Sequence, residues 1–173
     1  MENVLEIIKY TLPSIIVFLT AYFMLKTILD NEAKRKNAEL KMNNQNIITP
    51  IRLQAYERMT LVLERISPEA LVMRLQNSQM TSKELQSKML SSIRAEFDHN
   101  LSQQVYISNS AWEVIRNTRE NVVKIINSAA DKVNPEVPAI VLSKTIIESL
   151  MEMEQKPTAI ALEFLKTEAQ QFM

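Results

Sequence analysis

The chain has 173 residues, with 20 basic and 20 acidic side chains and a formal net charge of zero. That balance lacks the basic excess of a nucleic-acid binder, so nucleic acid is not an expected partner. Glycine and cysteine are both missing and histidine occurs once, which removes phosphate-cradling glycine loops, disulfides and the usual Cys/His zinc sites.

At the N-terminus, Tyr10 to Leu25 carries no charge, and apolar residues continue through Ile7 and Ile8 on one side and Ile28 and Leu29 on the other. The uncharged run alone makes about 24 Å of helix at ~1.5 Å per residue. The extended run 7–29 reaches the ~30 Å of a hydrocarbon core. The pattern predicts one transmembrane helix over 7–29, after a short outward-facing segment 1–6. Lys9 and Lys26 would snorkel to the two interfaces, beside the amphipathic rings of Tyr10 and Tyr22. Lys34, Arg35 and Lys36 follow on one side only, which orients the rest of the chain toward the cytoplasm.

Residues 30–48 read as a basic juxtamembrane helix and linker. Residues 26–65 hold eight basic and five acidic side chains, whereas 131–173 hold four basic and seven acidic. The basic end can attract anionic membrane lipids at ~1 kcal/mol per nearby basic residue. Asn43-Asn44-Gln45-Asn46 is expected to break the helix and separate it from a folded domain over 49–173.

Within that domain, Thr49-Pro50 predicts a helix start, with threonine as cap and proline in the first turn. Leu53, Tyr56, Met59, Leu63 and Ile66 then form one apolar face. Ser67-Pro68 repeats the device before Leu71, Val72 and Leu75. Thr81-Ser82-Lys83-Glu84 is a capping box ahead of Leu85, Met89, Ile93 and Phe97. A second capping box is expected at Ser110-Ala111-Trp112-Glu113, opening a helix that carries Ile115, Val122, Ile126, Ala129 and Val133. Pro138 opens a helix through Met153, and Pro157 opens the last, with Ile160, Leu162, Phe164 and Leu165. The fold class is therefore all-α: one transmembrane helix followed by a compact cytoplasmic bundle of about six helices. Prolines spaced along the chain argue against one continuous coiled coil.

Chemistry-bearing patterns are sparse. Glu96 and His99 have the Glu-x-x-His spacing of carboxylate-bridged di-iron bundles, but such a site needs the pair twice. With one histidine, no catalytic, cofactor-binding or metal-binding residues are assigned, and no cofactor is expected. Met151 and Met153 form an apolar cluster suited to partner contact, since methionine adapts to varied surfaces.

The N-terminal apolar run, the segment Ile48-Thr49-Pro50-Ile51-Arg52-Leu53-Gln54-Ala55-Tyr56-Glu57-Arg58 and the run Gln104-Val105-Tyr106-Ile107-Ser108 before Trp112 carry a resemblance. Together they resemble an uncharacterised bacterial family of short single-pass membrane proteins, a domain of unknown function. The resemblance implies the bacterial cytoplasmic membrane and supplies no activity or site.

The expected function is a non-enzymatic adaptor or accessory subunit, presenting its helical domain to a protein partner of a membrane complex. The alternatives are a structural subunit packing through its transmembrane helix in an oligomer, including a homo-oligomer, and a carboxylate-based enzyme on a helical scaffold.

Overall fold

The computed structural model describes residues 2–172, with side chains described for 15–43 and 45–172. Six α-helices follow one another: α1 (Glu2–Ile66), α2 (Pro68–Leu75), α3 (Ser82–Asn100), α4 (Asn109–Ala130), α5 (Ala139–Met151) and α6 (Pro157–Gln170), with a 3-10 segment at Leu101–Val105 between α3 and α4. Among the described residues there is no strand, only an isolated bridge between Thr81 and Pro138. The chain divides into two compact units, Met1–Ile48 and Thr49–Met173.

The all-helical expectation holds, and the transmembrane expectation does not. Among the described residues, no helix is long and apolar enough to cross a membrane. Lys26 closes the uncharged run that begins at Tyr10, and Asp30 and Glu32 follow within two turns. That uncharged run makes only ~24 Å of helix, short of a ~30 Å core. The transmembrane helix over 7–29, the single-pass topology and the location in a bacterial inner membrane are corrected accordingly. The portion 7–14, with Lys9 and Tyr10, lies outside the described side chains.

The first unit is the N-terminal part of α1. Here the expected break at Asn43–Asn46 does not occur, because α1 runs through it and through Thr49-Pro50. Asparagine disfavours a helix by only ~0.5 kcal/mol per residue, too little to stop one already propagating. Pro50 is different in kind. Inside a helix its nitrogen has no proton to give the carbonyl of Asn46, a defect of ~3 kcal/mol. The division between the two units falls beside it, at Ile48.

In the second unit, α2, α3 and α4 each begin on a side-chain cap. Ser67 caps α2, its Oγ accepting from the Ala70 N–H at 3.3 Å. Thr81 and Glu84 form the predicted capping box of α3: Glu84 N–H donates to Thr81 Oγ1 (3.3 Å) and Thr81 N–H to Glu84 Oε2 (2.8 Å). The cap of α4 is Ser108 rather than Ser110, with Oγ accepting from Ala111 N–H at 2.9 Å. Ser108 has the extended backbone a cap needs, whereas Ser110 is already helical. At its other end α4 stops at Ala130, so Val133 lies beyond it. The start of α5 is stitched to that of α3 by Ser82 N–H to Val137 O (2.9 Å) and Ala139 N–H to Met80 O (2.8 Å).

One core joins these helices. Tyr56, Met59, Leu63 and Ile66 of α1 are buried with Leu71, Leu85, Met89, Ile93, Ile115, Ile126, Leu142 and Ile146. α4 packs against α3, α5 and α6, and α3 against α2 and α5. On α6, Ala161 and Leu165 face inward, while Ile160 and Phe164, expected on its apolar face, are exposed.

Candidate protein-interaction groove

Leu53, Tyr56, Glu57, Thr60 and Glu64 recur along α1 at three- and four-residue steps and therefore share one face. Facing them across a groove are Ala159, Leu162, Glu163, Leu165, Lys166, Thr167, Ala169 and Gln170 of α6. The groove has a volume of about 1030 Å³ and lies wholly within the second unit. Its floor is apolar, with Leu53 and Leu162 half-buried and Tyr56 and Leu165 buried. Along its edges stand three exposed carboxylates, Glu57, Glu64 and Glu163, and one exposed ammonium, Lys166.

Tyr56 is fixed from two sides. Its hydroxyl accepts from the Ser108 N–H at 3.2 Å, tying α1 to the cap of α4. Its ring lies 5.6 Å from that of Phe172, which also carries the Arg52 guanidinium at 4.0 Å from its centroid. Arg52 Nε in turn donates to the Tyr106 carbonyl at 3.2 Å. These contacts hold Phe172 against α1. An arginine over an aromatic face contributes ~0.5–1 kcal/mol at an exposed site.

The residues singled out from sequence do not converge. Glu96 is engaged by Arg65, with Nε donating at 2.7 Å and a second guanidinium nitrogen at 2.6 Å. His99 is exposed at the end of α3. No cluster of three or more metal-ligating side chains occurs among the described residues. Met151 ends α5 with 80% of its surface exposed, and Met153 follows at 36%. Tyr22, Lys26, Lys34, Arg35 and Lys36 are exposed on α1. Around them, ten further large apolar side chains between Ile15 and Leu29 are each at least 45% exposed, on all sides of the helix.

In sequence, Leu53, Tyr56, Leu162 and Leu165 carry the pattern of ordinary core positions and the groove's polar residues that of exposed ones, so nothing joins them into one site. One signal was present: Glu57 and Glu64 lie seven residues apart, on the same face as Leu53.

No curated protein and no solved structure is similar enough to match this chain. A family of unknown function (DUF7935) matches residues 2–172, nearly its whole length, and the chain belongs to that family.

Proposed function

We propose that residues 49–173 form a non-enzymatic helix-binding domain, the interaction module of an adaptor or accessory subunit. The observation that carries this reading is the α1–α6 groove, with its apolar floor and mostly acidic edges. Grooves of this kind receive the apolar face of an amphipathic helix, which anchors through side chains at i, i+3, i+4 and i+7. Three carboxylates against one ammonium favour a helix with basic flanks, through charge complementarity that aids both encounter and register. The charged groups are exposed at the edges rather than gathered in an enclosed site, which suits recognition better than catalysis.

A photo-crosslinking residue placed at Thr60, in the groove, and separately at Glu120, exposed on α4 and outside it, tests the proposal in intact cells. A discrete protein adduct from position 60 and none from position 120 is the expected result. No adduct from either, or the same adducts from both, would refute a binding role for the groove.

A further inference from the structure

The groove and the N-terminal part of α1 are complementary in spacing, polarity and charge. Leu53, Thr60 and Glu64 stand on the α1 wall of the groove at intervals of seven and four. Ile47, Leu40 and Lys36 have the same intervals in reverse order. Intervals of seven and four keep each set on one helix face. Two helices run antiparallel in this register would set Ile47 against Leu53, Leu40 against Thr60 and Lys36 against Glu64. Asn43 would then fall opposite Glu57, with amide protons to offer its carboxylate.

Exposure and charge agree with the spacing. Leu40 and Ile47 are 55% and 57% exposed, so apolar surface is available to fill the groove. Residues 36–47 carry Lys36 and Lys41 against the single carboxylate of Glu39, with Lys34 and Arg35 just before them. The groove offers the opposite balance, Glu57, Glu64 and Glu163 against Lys166.

We infer that the helix this groove binds is residues 36–47 of a second copy of the chain. Each copy offers both a groove and a segment, so the pairing closes as a two-fold dimer with the same contacts made twice. The inference rests on the groove being a helix-binding site and names its occupant.

The natural chain has no cysteine, so single cysteines report the register directly. Full-length I47C and L53C are prepared separately and crosslinked with a short bifunctional thiol reagent, alone and mixed. A non-ionic detergent is included in a parallel set to suppress non-specific association through Ile15–Leu29. The mixture is expected to give a covalent dimer at a yield several-fold above that of either variant alone, with and without detergent. E64K or K36E in the cysteine-bearing chains should each lower that yield by roughly fivefold or more. The two reversals together should restore it. Unchanged helical circular dichroism shows that each variant is folded.

Equal yields in all three samples, dominant 47–47 crosslinking, or charge reversals without effect would overturn the second-copy assignment. The photo-adduct from position 60 separates this failure from failure of the groove itself. An adduct at the mass of two chains supports the second copy. An adduct with a different protein overturns the second copy and leaves the helix-binding groove standing. No adduct removes both.

Discussion

At the residue scale, a few side chains show where stability is concentrated and where it is missing. Ser143 is buried on α5 at 2% exposure, and its Oγ has no hydrogen-bond partner among the described residues. A buried hydroxyl left unpaired is unfavourable by ~1–3 kcal/mol, and alanine is also the better helix former. Ser143→Ala should therefore stabilise the domain by about 1 kcal/mol, read as a rise in urea midpoint at unchanged slope. A midpoint that falls would mean the hydroxyl has a partner in solution. Glu96 gives the opposite case. Its side chain is 17% exposed while Arg65 is 56% exposed, so solvent screens the pair on one side. Glu96→Gln should lower stability by only ~0.5–1 kcal/mol, less in high salt. A loss that salt does not reduce would point to packing rather than charge.

At the scale of elements, capping chemistry was the most legible feature of the sequence. Ser67 and Thr81 each begin a helix where their hydroxyl spacing says they should, because a cap is a local interaction that needs no tertiary context. Replacing Thr81 with alanine should remove about 1 kcal/mol of stability; an unchanged thermal midpoint would show that the stitch to Val137 suffices to start α3. Two local signals misled. Ser108 and Ser110 both precede a plausible first turn, and the extended backbone at Ser108 decides between them. Thr49-Pro50 has the form of a helix start, yet lies inside α1. A proline cannot by itself distinguish the first turn of a new helix from a defect in a long one. Pro50→Ala should restore the bond to the Asn46 carbonyl, raise helicity and slow proteolysis between residues 43 and 50. Unchanged cleavage there would mean Pro50 is not the weak point of α1.

At the scale of the whole molecule, the absence of glycine counts against a β-rich fold, since the tight turns of β-hairpins lack their usual residues, and the succession of helix starts points to an all-α one. The apolar N-terminal run misled, where length and hydropathy together suggested a span that the described helix does not support. The groove was invisible for another reason. It is formed by residues about a hundred positions apart on α1 and α6, and periodicity reports which face of a helix is apolar, never which other helix stands across from it.

The central claim, that a helix seats between α1 and α6, is tested most directly by filling the groove. Ala159 is exposed and lines it, so Ala159→Trp places an indole where the bound helix would lie. The adduct from a photo-crosslinker at Thr60 is expected to disappear in this variant while its thermal midpoint stays within a degree or so of the parent, as for surface changes of under ~0.5 kcal/mol. An adduct that persists at full yield in the folded variant would show that the groove is not where the partner binds.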